Sequence, residues 1–229
     1  MNSYGQFCPL AQASQLLCER WTLLIVRELV AGSSRFNDLR RGVPLISPTL
    51  LSRRLKQLEH SGVIRRRRTP AGVRYELTQG GEELRPIVEL LGAWGHRWVR
   101  SRLDGSDLDA GLLMWDMRRT VDASQFPARR VVVQFNYPDA PKGARDWWLI
   151  SANGETDLCL EDPGYEVDLV IRGSLRAMTA IWTCQVRFQD AERGGEIKVL
   201  GSHDLRRKLP QWLRASYLSR LGAAGPVNA

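Results

Sequence analysis

Four arginines in succession, Arg65-Arg66-Arg67-Arg68, constrain this chain more than any other feature. Such a run cannot enter a core, because an unpaired charge taken out of water is not repaid by packing. It follows Val63-Ile64 and precedes Thr69-Pro70-Ala71-Gly72, a turn signal. Val73 to Thr78 then reads as a second strand, so the run lies on a solvent-facing hairpin. On a strand, Arg66 and Arg68 point one way and Arg65 and Arg67 the other. Four like charges in a row repel one another unless a polyanion screens them, and Arg74 on the return strand adds to the patch.

The segment before the hairpin reads as helices. Leu16, Leu17, Trp21, Leu24, Ile25 and Leu29 recur at helical spacing and predict one helix, stopped by Gly32, with Cys18 buried on it. Arg35 to Arg40 is a second, short helix closed near Gly42 and Pro44. Ser47-Pro48 starts a third: serine as N-cap, proline in the first helical position. It runs to about His60, and Gly62 stops it. At 100° per residue Leu51, Leu55 and Leu58 share a stripe roughly 60° wide, which is a core face. Ser47, at the start, and Thr49, Ser52, Arg53, Lys56, Gln57 and His60, on the far side, are of the types that reach phosphates and base edges. A helix, a turn and a polar-faced second helix form a helix-turn-helix, and the hairpin after it is a wing. A solvated helix face is the alternative reading of the polar side alone. After the wing, Gly81 to Arg100 predicts a further helix with Leu84, Ile87, Val88, Leu91, Trp94 and Trp98 on one broad face.

Charge supports the same partner. The chain of 229 residues carries +8, and the excess is confined to one half: 17 basic against 8 acidic residues up to Arg102, and 16 against 17 beyond it. The polar stretch Ser101 to Asp107 is the expected linker, giving domains at 1–102 and 107–229. A basic half beside a neutral half suggests a nucleic-acid module joined to one with another task. The absence of a long apolar run or a leader-like N-terminus points to the cytoplasm and to no membrane partner. Four dispersed cysteines predict neither disulfides nor a zinc site. Three isolated histidines, with no HExxH, GxSxG or GxxxxGK[ST] motif, argue against an enzyme and imply no cofactor.

The first half resembles the HxlR-type winged-helix regulators. The likeness is carried by Cys8-Pro9, Arg20-Trp21-Thr22-Leu23-Leu24-Ile25, Arg27-Glu28-Leu29, Arg35-Phe36-Asn37-Asp38-Leu39, Ile46-Ser47-Pro48 and Leu50 to Lys56. It continues through Leu58-Glu59, Gly62-Val63-Ile64, Tyr75-Glu76-Leu77-Thr78 and Trp94-Gly95. The resemblance implies a dimeric bacterial transcription factor that binds double-stranded DNA, with its first and last helices in the dimer interface. It also places Cys8 where some members carry a redox-sensing thiol. The chain departs from the family at Cys18-Glu19, where small residues are usual, and in a short wing turn.

The second half reads differently. Asp107 is expected to cap a helix carrying Leu108, Leu112 and Trp115. Val131–Phe135, Trp147–Ala152, Thr156–Leu160, Val167–Ile171 and Gly195–Leu200 are expected strands, with Asn153-Gly154 as a hairpin turn. Ser174 caps a helix with Met178 and Trp182, and Asp204 to Leu213 is a last helix. The expected fold is α+β throughout: a winged helix-turn-helix, then an α+β domain with a mainly antiparallel five-stranded sheet covered by helices. Asp162 to Ile171, the helix after Ser174 and Gly195 to Gly201 resemble the sterol-carrier-protein fold, which implies an apolar tunnel. Trp115, Phe126, Trp147, Trp148, Met178, Trp182 and Phe188 are the candidates to line it for an apolar small-molecule effector. Two functions follow: a ligand- or redox-responsive DNA-binding regulator, or a lipid or metabolite carrier whose basic half serves localisation or dimerisation.

Overall fold

The computed structural model describes residues 4–99 and 108–223, and the chain divides into two units, Met1–Leu91 and Gly92–Ala229. The first unit opens with α1 (Pro9–Leu17), α2 (Thr22–Val30), α3 (Phe36–Gly42) and α4 (Pro48–His60). The hairpin β1 (Ile64–Thr69) and β2 (Gly72–Leu77) follows, then α5 (Gln79–Glu82) and α6 (Arg85–Trp98), whose residues from Gly92 on belong to the second unit. Ile25, Val26, Leu39, Leu51, Leu55, Leu58, Ile64 and Val88 form its core.

The expected starts and stops of α4 are met. The Ser47 hydroxyl accepts a hydrogen bond from the Leu50 amide at 3.2 Å, Pro48 opens the helix, and Gly62 follows it with φ +73°. Three expectations fail. The single helix predicted over 16–29 is two, because the backbone turns at Trp21, which has φ +78°. Cys18 therefore caps α1 at an exposed position instead of lying buried. The helix expected from Gly81 is preceded by a separate turn, α5, whose cap is the Thr78 hydroxyl accepting from the Gly81 amide.

The second unit holds α7 (Ala110–Thr120), β3 (Val131–Asn136), β4 (Asp146–Ala152), β5 (Glu155–Cys159), β6 (Leu169–Gly173), α8 (Leu175–Trp182) and α9 (Phe188–Arg193). It continues with β7 (Ile197–Gly201), α10 (His203–Arg207), α11 (Leu209–Trp212) and α12 (Tyr217–Ala223). The Asp107 cap and the 101–107 linker lie outside the described residues. The α7 cap is Asp109, whose carboxylate accepts from the Leu112 amide at 2.9 Å. Asn153 and Gly154 both have positive φ, as the tight β4–β5 turn requires. Ser174 caps α8 by accepting from the Ala177 amide at 3.0 Å. The helix expected over 204–213 is split, with Pro210 in the first turn of α11.

The five strands run β5-β4-β3-β6-β7. The sheet is mixed, which corrects the mainly antiparallel expectation: β3 and β6 pair parallel, Val133 opposite Leu169 and Phe135 opposite Ile171. The parallel pair arises because the β4–β5 hairpin occupies one side of β3, so the chain must cross to the other side to continue. Asp168 fastens the join. Its carboxylate accepts from the Val132 amide at 2.9 Å, and its amide donates to the Val132 carbonyl at 2.9 Å. The uninterrupted run Val131-Val132-Val133, buried on both faces, is what a central strand needs. One sheet face packs with Met114 and Met117 of α7 and Leu175 and Met178 of α8. Also within this unit, α12 crosses the last turns of α6 at two glycines. A Cβ at Gly92 would touch Leu218 at 3.0 Å, and one at Gly222 would meet His96 at 2.7 Å.

Candidate nucleic-acid interface

The site is built on α4. Its stripe of Leu51, Leu55 and Leu58 is buried, which turns Thr49, Ser52, Arg53 and Lys56 outward, all exposed. Ser47 is exposed too, with its hydroxyl committed to the helix cap. Arg53 and Lys56 have no ion-pair or hydrogen-bond partner among the described residues. Gln57 differs: its side-chain oxygen accepts from Arg54 Nη1 at 2.7 Å, which leaves only its amide NH2 to donate outward.

Arg54 is the residue the sequence reading passed over. It is 6% exposed. Its Nε donates to the Arg20 carbonyl at 3.1 Å, and its Nη2 pairs with Glu19 Oε2 at 2.5 Å. One guanidinium thus ties the turn between α1 and α2 to α4, a planar fork used as a bracket. The signal was available, since residue 54 falls roughly 40° from Leu58 on the helical wheel, beside the core stripe. This bracket also accounts for Glu19, the departure from the usual small residue. Above the turn, the Arg20 guanidinium lies over the Trp21 ring at 4.7 Å.

A second bracket seats α3. Glu28 is fully buried, bonded to Arg27 at 2.9 Å and to the Ser33 hydroxyl at 3.0 Å. Arg27 also donates to the Gly42 carbonyl at 2.7 Å. A Cβ at Gly42 would fall inside the Glu28 carboxyl group, so only glycine lets α3 end there.

The wing separates its arginines by face. Arg65 pairs with Glu76 at 2.9 Å and Arg67 with the same carboxylate at 3.7 Å. Arg66 and Arg68, opposite Tyr75 and Val73, are exposed and have no ion pair among the described residues. Arg74 is half-buried and reaches the Ser34 hydroxyl at 3.4 Å, while the Tyr75 amide donates to the Ser34 carbonyl at 2.7 Å. Those bonds anchor the wing to the loop before α3. The arrangement collects Arg53, Lys56, Arg66 and Arg68 as uncompensated cations on two adjoining elements.

The remaining candidates are dispersed. Cys8 is exposed at the start of α1. Trp147, Met178 and Trp182 belong to the second unit's core, with Phe126 against it and tilted on Trp212 at 5.2 Å. Phe188 also borders that core. Trp148 is buried on the opposite sheet face, and the guanidiniums of Arg118 and Arg119 lie over Trp115 at 5.2 and 5.8 Å. Among the described residues no group of His, Cys, Asp and Glu is placed to hold a metal, and no helix is long and apolar enough to cross a membrane.

Comparison with known proteins agrees with the first unit's architecture. Residues 16–102 match the profile of the HxlR-like helix-turn-helix family. The HTH-type transcriptional regulator YvaP of Bacillus subtilis is 38% identical over 99 residues, which is 42% of this chain and 92% of that protein. YodB of the same organism is 35% identical over 95 residues, 40% of this chain and 85% of that one. The solved reduced form of YodB aligns at 31% identity and a TM-score of 0.37, over 42% of this chain and 97% of that one. These likenesses reach about two-fifths of the chain. The protein belongs to the HxlR-like helix-turn-helix family of transcriptional regulators.

Proposed function

We propose that the protein is a homodimeric, cytoplasmic transcriptional regulator that reads double-stranded operator DNA with α4 and grips its backbone with the wing. The observation that carries this reading is a set of four cations without an ion pair among the described residues, Arg53, Lys56, Arg66 and Arg68, on the helix and hairpin of a helix-turn-helix unit. Arg53 and Lys56, with Thr49 and Ser52 beside them, take the base-edge and phosphate contacts, and Gln57 contributes its NH2. Ser47 serves at the helix start, where amides favour a phosphate. Arg66 and Arg68 supply backbone contacts, and Arg74 holds the wing at its height.

Dimerisation is supported by α6. Ile87, Leu91, Trp94 and Trp98 recur at alternating steps of four and three and stay 48–65% exposed, an apolar seam with nothing upon it among the described residues. The second unit, with its sterol-carrier-like reading, is taken as the effector domain for an apolar small molecule. Its support is the packing of Trp147, Met178 and Trp182 in one core with Phe126 against it; Trp148 lies on the other sheet face and Trp115 under Arg118 and Arg119. Cys8, an exposed thiol at the start of α1, is the position for redox control, where the family resemblance puts a sensing thiol.

The test is selection of bound fragments from random duplexes by the full chain, followed by fluorescence anisotropy on the enriched site. A site with two half-sites and affinity that falls steeply with salt is expected. Binding with no enriched sequence would reject the regulator reading.

A further inference from the structure

A groove of about 600 Å3 lies in the first unit between α1 and α4. Ala13, Leu16 and Leu84 give it an apolar floor, and Arg53, Lys56 and His60 line its α4 side. Its volume falls within the range of small-molecule sites, roughly 300–1,000 Å3, and its make-up matches theirs: mostly apolar walls with a few polar groups converging. The cations on the rim are not neutralised from within. Neither Arg53 nor Lys56 has an acidic partner among the described residues.

We propose that this groove binds a small amphipathic organic anion, an aryl or alkyl carboxylate, and that its occupancy competes with DNA for Arg53 and Lys56. Charge complementarity selects that occupant. An apolar body covers the floor while one carboxylate meets the guanidinium and the ammonium together. A second copy of the chain is a poorer fit. Seated there, it would cover Arg53 and Lys56, the two cations read as DNA contacts, whereas a small anion can leave when DNA arrives. The coupling needs no conformational change, because ligand and DNA claim the same two cations. The proposal rests on reading Arg53 and Lys56 as DNA contacts, but ligand binding itself is measured without DNA.

Naphthalene-2-carboxylate and its neutral carboxamide are suitable probes, titrated calorimetrically into the full-length protein. The carboxylate is expected to bind at least about tenfold more tightly, and Ala13→Trp, which fills the groove from exposed α1, to weaken it by about tenfold or more. Ala13→Glu, which adds charge with little bulk, is expected to weaken the carboxylate and spare the carboxamide. In anisotropy with a random duplex at low salt, the carboxylate should raise the DNA Kd of the parent and leave that of Ala13→Trp unmoved. Unchanged carboxylate affinity in both variants places the ligand elsewhere and overturns the proposal. So does equal binding of the two probes, or a DNA Kd unaffected at saturating carboxylate. A fall in mass of Ala13→Trp by light scattering would assign the groove to a second copy instead. If the ligand-free protein fails to bind duplex DNA, the regulator reading fails, while the calorimetry still decides whether the groove holds the anion.

Discussion

Three residues show how far single positions set this fold and its chemistry. Gly42 ends α3 against the buried Glu28 carboxyl, which Arg27 and Ser33 hold in place. Gly42→Ala is expected to cost stability toward the upper end of the roughly 1–3 kcal/mol typical of overpacking, read as a lower midpoint in urea. Pairing it with Glu28→Ala removes the clash, so the two losses should fall short of their sum. Tyr137 is fully buried and donates its hydroxyl to Met114 Sδ at 3.1 Å. Burial, helped by the negative charge of Asp139, raises its phenol far above the ordinary value near 10. The folded chain therefore keeps a proton that the unfolded chain releases in alkali. Stability from this group is complete below about pH 10 and declines as pH rises above it. Urea midpoints measured from about pH 9 to 11.5 should fall less steeply for Tyr137→Phe than for the parent, and parallel curves would refute that origin. At the DNA surface, Arg53→Ala is expected to relax base preference, each bidentate contact being worth about 1–3 kcal/mol. If it weakens all sequences equally, Arg53 is a phosphate contact.

At the scale of elements, the wing divides its labour. Arg65 and Arg67 share Glu76, which lowers the repulsion within the hairpin, while Arg66 and Arg68 have no ion pair among the described residues. Replacing Arg66 and Arg68 with alanine should weaken specific and random DNA alike and flatten the log–log salt dependence by about 2 units. The same substitution at Arg65 and Arg67 should flatten it less, and an unaltered slope in the first variant would make the run a solvated surface. Much of this half is legible in the sequence because its signals are local: the Ser47-Pro48 cap, the leucine stripe, the arginine run, the Asn153-Gly154 turn beyond it. What the sequence hides is set by partners distant along the chain. The break at Trp21 interrupts an apolar period that reads straight through, and the turn there is fastened by Arg54, more than thirty residues on. The parallel β3–β6 pair leaves no local trace, since an apolar strand reads alike beside either kind of neighbour. Nor does spacing separate Trp147, packed into the core, from Trp148 on the opposite face.

For the whole molecule the decisive question is what covers α6. Its two long faces have different fates. Gly92 and His96 lie under Leu218 and Gly222 of α12 in the same chain. Ile87, Leu91, Trp94 and Trp98 lie roughly opposite on the helical wheel and remain open, Trp98 at 65%. An apolar seam of this length in a chain bearing +8 is a poor surface for a monomer, and pairing about a two-fold axis buries it against itself. The same axis supplies what a helix-turn-helix regulator needs, two recognition helices presented to half-sites about one DNA turn apart. Light scattering at micromolar concentration is expected to give twice the 26.0 kDa of one chain. Trp94→Glu with Trp98→Glu places four like charges in the paired seam and should yield monomers. The α12 contact lies on the other face, so far-UV dichroism should be unchanged. The monomer should still bind random duplex through Arg53, Lys56, Arg66 and Arg68, and lose its preference for a two-half-site operator because the second reading head is gone. A parent protein of single-chain mass, or a double variant that stays dimeric, would place the contact elsewhere and remove α6 from the interface.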